Sequence, residues 1–311
     1  MEIIRGLYNL RDYHRGCVAT IGNFDGVHLG HQQVLSLVRE EAKQRQLPSI
    51  VILFEPQPLE FVAPDKAPRR ITRFREKIRL LRELGIDRVV CLPFNTRLQN
   101  LTAMEFIQQL LVDGLGVAHF VVGDDFRFGR QRQGDFALLQ QAGATHGFSV
   151  ESTPSCCYAG ERVSSTAIRQ ALQSHDLAKA AELLGRPFDI TGKVAKGQQL
   201  GRTIGVPTAN IRLQNKQPAL QGVYATRILG LQDKVYEGVA NIGYRPTLSG
   251  FKPQLEVHIF DLQADLYGQQ LQVEFCHFIR AEQKFADLAA LQQQIKQDIA
   301  AAKAYFAATE H

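Results

Sequence analysis

Thr20-Ile21-Gly22-Asn23-Phe24-Asp25-Gly26-Val27-His28-Leu29-Gly30-His31 decides how the first half of the chain is read. The apolar run Cys17 to Ile21 predicts a short buried strand, and Gly22 and Gly26 predict a tight turn after it. Val34, Leu35, Leu37, Val38 and Ala42 then recur at helical spacing, so a helix opens at the two histidines. A glycine turn feeding a helix start offers free N–H groups and the positive end of a dipole, which favour an anion. Gly30 leaves no side chain where a nucleotide would lie. His28 and His31, three apart, share a helix face and can donate ring N–H bonds to one phosphate. Such donors stabilise charge on a phosphorus centre and on departing pyrophosphate, which requires no proton removal.

Outward from this stretch, apolar strands alternate with helices. Strands are predicted at Ile50–Phe54, Arg88–Leu92, His119–Val122 and Phe148–Val150, with helices near Thr72–Leu84, from Thr102 to about Val112, and at Phe136–Ala142. Thr102 and Glu105 form a capping box, and Gly114 and Gly116 are expected beyond that helix's end. The alternation predicts a doubly wound parallel sheet whose ligands bind beyond the carboxyl ends of the strands. Two further segments follow strands at that edge. Gly123 to Gly129 combines Asp124, Asp125, Phe126, Arg127 and Phe128, and Ser164-Ser165-Thr166-Ala167-Ile168-Arg169 reads as a helix start with hydroxyls and an arginine suited to phosphate.

A helix from about Asp176 to Leu184 stops at Gly185, and the pattern then changes. Strands without intervening helices at 189–195, 223–229, 235–242, 255–260 and 271–279 predict an antiparallel barrel or sandwich, followed by one amphipathic helix over about 285–306 with Leu288, Leu291, Ile295 and Ile299 in a stripe. The boundary is placed near 185, giving domains 1–185 and 186–311. The dense motif of the second domain is Gly201 to Asn210. Gly201, Gly205 and Pro207 set a rigid close-approach loop, and the Thr208 hydroxyl and Asn210 amide oxygen are hard ligands suited to Mg²⁺ with ATP phosphates. Asn241 to Thr247 is a second turn of similar make-up. Alternation in Leu255 to Phe260 sets Glu256 and His258 opposite Leu255, Val257 and Ile259, where a carboxylate can take a proton from a substrate hydroxyl.

Composition narrows the class. With 311 residues, 45% hydrophobic and 22% charged, the chain has the make-up of a globular protein long enough for two cores. No stretch reads as a signal peptide or membrane span, so a cytosolic address is expected. Five cysteines, an odd number without metal-ligand spacing, read as reduced and mostly buried thiols. A formal charge of +5 suggests anionic ligands. The basic run Arg69 to Arg82 carries Ile71, Phe74, Ile78 and Leu81 at helical spacing, so its cations read as the wet face of a helix.

Taken together and in this order, the motifs Gly22 to His31, Gly123 to Gly129, Ser164 to Arg169, Gly201 to Asn210, Asn241 to Thr247 and Leu255 to His258 resemble those of the bacterial bifunctional riboflavin kinase and FAD synthetase family. The resemblance implies an N-terminal FMN adenylyltransferase of nucleotidylyl-transferase fold and a C-terminal flavokinase barrel with a terminal helix. It implies Glu256 as base on the riboflavin 5′-hydroxyl, with Thr208, Asn210 and Mg²⁺ holding ATP. For FAD formation it implies His28, His31 and Arg169 as charge-stabilising groups, Gly22, Asn23, Gly30, Ser164, Ser165 and Thr166 as ATP and phosphate contacts, and Asp125, Phe126 and Phe128 in a loop contacting flavin or adenosine. The expected partners are riboflavin, FMN and ATP, with FMN and FAD as products, no nucleic acid or membrane, and a monomer or weak homo-oligomer. Two other readings stand beside it: an adenylyltransferase with a different phosphorylated acceptor, and a basic nucleic-acid-binding protein, against which the missing Trp and absent helix-turn-helix pattern count.

Overall fold

The computed structural model describes residues 1–196, 206–213, 218–231, 234–247, 250–262 and 264–309, with 245–247 and 250–252 by backbone alone. The chain divides into two compact units, Met1–Pro68 with Phe74–Ser164, and Arg69–Arg73 with Ser165–His311.

In the first unit, β1 (Glu2–Arg5), β2 (Cys17–Ile21), β3 (Ser49–Phe54), β4 (Arg88–Leu92), β5 (Val117–Gly123) and β6 (Ser149–Thr153) form one parallel sheet in the order β1-β4-β3-β2-β5-β6. Every residue of β2 is buried, as a central strand covered on both faces requires. The helices are α1 (Leu29–Arg45), α2 (Pro58–Val62), α3 (Phe74–Glu83), α4 (Thr96–Gln99), α5 (Ala103–Phe106) and α6 (Phe136–His146). A two-stranded ribbon, β7 (Cys157–Tyr158) with β8 (Glu161–Arg162), follows the sheet. From β2 the strand order runs through β3 and β4 one way and through β5 and β6 the other. The switch point, where such sheets open a crevice, therefore lies between β2 and β5.

The Thr102–Glu105 capping box forms, with the Thr102 hydroxyl accepting the Glu105 N–H at 3.2 Å. Beyond Phe106 the helix differs from expectation. It continues as a π-helical segment, Ile107–Gly114, which keeps Ile107, Leu110 and Leu111 in the core and draws Gly114 into its last turn. A second correction concerns the basic run. Arg75 and Arg82 are exposed and Arg79 half-buried, so the wet cationic face forms as expected, but Lys77 is not part of it, being 1% exposed beside Glu76 at 4%.

In the second unit, α7 (Ser165–Gln173) and α8 (Leu177–Leu184) precede a closed antiparallel barrel of β9 (Asp189–Ala195), β10 (Ala209–Arg212), β11 (Gly222–Leu231), β12 (Lys234–Thr247), β13 (Gly250–Ile259) and β14 (Gln270–Arg280), ordered β10-β13-β12-β11-β14-β9. Asp176 caps α8 and Gly185, at φ 71°, ends it. Between α7 and α8, His175 stacks on Phe278 at 3.7 Å. The Tyr224 hydroxyl donates to the Gln221 carbonyl at 2.8 Å, so it accepts from His175 Nδ1 at 2.7 Å. These contacts explain why α7 and α8 group with the barrel. The stretch 241–247, expected as a turn, is the end of β12, and Ala209–Arg212 is a strand rather than part of a loop. The terminal helix, α9 (Leu288–Thr309), buries Asp298, Ala302 and Phe306, with Leu291, Ile295 and Ile299 half-buried on the same side, so the expected stripe faces inward except for Leu288 at the helix start, which is exposed. The buried Asp298 is held by Arg280, whose Nε and second guanidinium nitrogen each donate to it at 2.8 Å. Among the described residues no helix is long and apolar enough to cross a membrane.

Candidate functional site

The first constellation lies where β2 runs into α1. Phe24 (φ 44°), Gly26 (φ 88°) and Val27 (φ 44°) all adopt left-handed backbone, which a β-branched residue such as Val27 reaches only under strain. Phe24 and Val27 are buried and hold the turn against the core. His28 is the N-cap of α1, and its Nδ1 accepts the His31 backbone N–H at 3.3 Å. That acceptor role leaves the proton on Nε2, so the neutral His28 ring carries one donor. The His28 and His31 rings stack at 3.6 Å with planes 17° apart. Burial, then His28, then Lys77 push the His31 pKa well below its usual range, so His31 is a neutral imidazole at physiological pH. Gly30 leaves room for protein rather than open space, since a side chain there would meet the His28 ring at 3.3 Å and Cys156 at 3.4 Å.

Lys77 of α3 lies beneath this turn and donates to the Asn23 carbonyl. Sequence reasoning missed it, because the helical stripe is satisfied by Ile78 and Leu81. Its signal was a lysine beside the buried Ile78.

The second segment at the switch point follows β5. Asp124 accepts the Ser155 hydroxyl at 2.8 Å, and Asp125 pairs with Arg162 at 2.8 Å. Phe126 and Phe128 stack at 5.5 Å, and Phe128 packs into the core on Phe106. Asp125 is therefore exposed while the two phenylalanines anchor the loop. Ser164 closes the first unit. Ser165 opens α7 in the second, with Thr166 exposed and Arg169 one turn in, its Nε donating to the Arg69 carbonyl at 2.7 Å.

The barrel carries the other constellation. Register pairs Asn210 of β10 with Glu256 of β13, and Glu256 with Asn241 of β12, so the three side chains form one row on a face opposite the buried Leu255 and Val257. Asn210 Oδ1 accepts from the Gln254 amide, and its Nδ2 donates to the Thr208 carbonyl at 3.3 Å. His258 donates from Nδ1 to the Pro207 carbonyl at 2.9 Å, which ties the end of the motif loop to β13. Pro207, Thr208 and Asn210 line a cavity of about 70 Å³ with Asp265 and Tyr267. A second cavity of about 290 Å³ is lined by Gln173, His175, Gln221 and Glu282 among others. Gly201 and Gly205 lie outside the described residues. Among the described residues, no group of three or more His, Cys, Asp or Glu could hold a metal. The hydroxyl and amide oxygens of Thr208 and Asn210 suit a cation that takes its remaining ligands from phosphates and water, as Mg²⁺ does.

The comparisons with known proteins agree across the chain. A family model described as FAD synthetase matches residues 10–167, and one described as riboflavin kinase matches 184–306. A bifunctional riboflavin kinase/FMN adenylyltransferase of Escherichia coli K12 is 53% identical over 311 residues, covering 100% of this chain and 99% of that protein. The protein of the same name from Pseudomonas fluorescens is 51% identical over 312 residues, with 100% of each covered. A crystal structure from Streptococcus pneumoniae, described as a macrolide-efflux protein, superposes with a TM-score of 0.79 at 29% identity, covering 96% of this chain and 97% of that one.

Proposed function

The chain belongs to the bifunctional riboflavin kinase/FMN adenylyltransferase family, and from that membership we propose which residues carry each of its two reactions. The enzyme phosphorylates riboflavin to FMN with ATP and transfers an adenylyl group from ATP to FMN, giving FAD and pyrophosphate. The observation that carries the residue assignment is that each unit holds one constellation suited to one reaction, the stacked histidines in the first and the Glu256 row in the second.

For the kinase, Glu256 takes the proton of the riboflavin 5′-hydroxyl as that oxygen attacks the γ-phosphorus of ATP and ADP leaves. Each cavity borders one residue at or beside the ends of the row. One borders Asn210, on the side assigned to ATP, and the other borders Glu282, which touches Asn241, on the side assigned to the flavin. Thr208 and Asn210 would hold Mg²⁺, which when bound would neutralise phosphate charge. Pro207 ends the phosphate loop, and the family motif assigns Gly201 and Gly205, outside the described residues, to the same contact.

For FAD formation, a phosphate oxygen of FMN attacks the α-phosphorus of ATP and pyrophosphate leaves. FMN phosphate is ionised at neutral pH, so the step needs donors and no base. His28 Nε2–H and the neutral His31 ring supply them without placing two imidazolium charges in contact. Within the first unit the turn Gly22, Asn23 and Gly30 and the Ser164 hydroxyl supply further phosphate contacts, and the family motif assigns Ser165, Thr166 and Arg169 to phosphate as well. Phe126 and Phe128 fix the loop from which Asp125 reaches flavin or adenosine. Function is divided near residue 185, and the enzyme works as a monomer or weak homo-oligomer in the cytosol without nucleic acid. Purified protein given riboflavin, ATP and Mg²⁺ is expected to yield FMN and then FAD on chromatography. A folded protein that forms neither product overturns the reading.

A further inference from the structure

Asn241, Gly243 and Tyr244 together form a seat for Glu282, which follows β14. The Glu282 carboxylate accepts from the Asn241 side-chain amide and the Tyr244 backbone N–H. A side chain at Gly243 would collide with that carboxylate, so glycine is what lets it dock. Burial raises the Glu282 pKa, while the two donors and Arg280 pull it back.

This seat decides which way the Asn241 amide faces. A carboxylate accepts only, so Nδ2 must point to Glu282 and Oδ1 must point away. Oδ1 is buried, and no donor among the described residues reaches it. A desolvated acceptor without a partner carries a cost, and the structure retains this one beside Glu256, its direct cross-strand neighbour. Directly opposed side chains of this kind lie about 5 Å apart at Cβ.

We propose that Asn241 orients the acceptor substrate of the kinase, its Oδ1 accepting a hydroxyl of the flavin's polyol chain while Glu256 acts on the terminal hydroxyl. Glu282 is a positioning residue that fixes the amide for this task. The row thus reads the polyol chain at two points, which selects a substrate with a second hydroxyl at a set distance from the reacting one. The proposal rests on Glu256 being the base.

The test uses the full-length protein, riboflavin, and riboflavin analogues lacking the 2′-, 3′- or 4′-hydroxyl. In the unaltered enzyme one analogue is expected to lose about tenfold in kcat/KM through a raised KM, the size of one hydrogen bond. In Asn241→Leu, riboflavin itself should lose about tenfold and that analogue nothing more. Glu282→Gln, which frees the amide to turn, should show part of the same loss. FMN-to-FAD conversion by the same samples reports that the rest of the chain is folded, and Asn241→Ser serves if the leucine variant does not fold. The inference is overturned if each analogue keeps its full penalty in the Asn241 variant, or if riboflavin's KM does not move. A wrong assignment of the base shows itself differently, as FMN formation that survives Glu256→Gln.

Discussion

His28 and His31 stack ring on ring at 3.6 Å, and the Nδ1 of the first caps the backbone N–H of the second. The contact fixes the His28 tautomer, and burial, followed by His28 and Lys77, keeps His31 uncharged, so on the proposed assignment the pair offers two neutral donors at a helix start. Removing one ring also removes the support of the other.

Replacing both, as His28→Ala with His31→Ala, should lower FMN-to-FAD conversion by about 10²–10³-fold, the scale of lost charge-stabilising donors. FMN formation from riboflavin should persist. A coupled assay that resolves FMN and FAD checks both, and equal loss of the two products would contradict the division of labour.

Glu256→Gln should give the opposite pattern. Removing a base of this kind costs about 10²–10⁴-fold, so FMN formation should nearly vanish while added FMN is still converted to FAD. Single-substrate assays with riboflavin or FMN distinguish the two steps.

Acid should weaken the first unit. The folded His31 refuses a proton that the unfolded chain binds below its ordinary pKa, so the unfolded state gains protons as pH falls and stability drops with it, at most about 1.4 kcal/mol per pH unit. Thermal unfolding at pH 7.5 and pH 5.5 should show the loss, and His31→Gln should reduce it.

Lys77→Met removes a buried charged donor to the Asn23 carbonyl. A hydrogen bond to a charged group is worth about 1.5–3 kcal/mol. The variant should therefore unfold at lower temperature and lose FAD formation more than FMN formation, whereas a surface lysine would give neither effect.

Asp298→Ala leaves the Arg280 guanidinium without the carboxylate that both its nitrogens hold. Breaking a buried pair in this way costs about 3–5 kcal/mol. Denaturant unfolding followed through kinase activity should shift to lower concentration, while Leu288→Ala, at an exposed position of α9, should leave it nearly unchanged.

Much of the fold was legible because burial dictates pattern. The run Cys17 to Ile21 is wholly apolar and is a central strand, and Gly185 stops α8 where its sequence says it should. What escaped reading depends on partners distant in sequence. Glu2–Arg5 is too short to declare itself, and it is a strand only because β4 pairs with it. The burial of Lys77 is offset by a backbone carbonyl, which leaves no trace in the pattern of side chains. That Asp298 lies buried on the inner face of α9 depends on its ion pair with Arg280, which the helix's own sequence does not reveal. Of the candidate sites, the residues were readable and their register was not. Asn210, Glu256 and Asn241 stood in three motifs, and only strand pairing aligned them.

The contact of His175 with Tyr224 and Phe278 bears on how the gene could be cut. A fragment ending near residue 185 retains α7 and α8 but discards β14, on which α8 packs, and strips the aromatic partners from His175. A fragment starting there builds its barrel with that same surface bare. The cut at 185 thus runs through the second unit and spares the core of the first, so the barrel fragment is the one expected to lose stability.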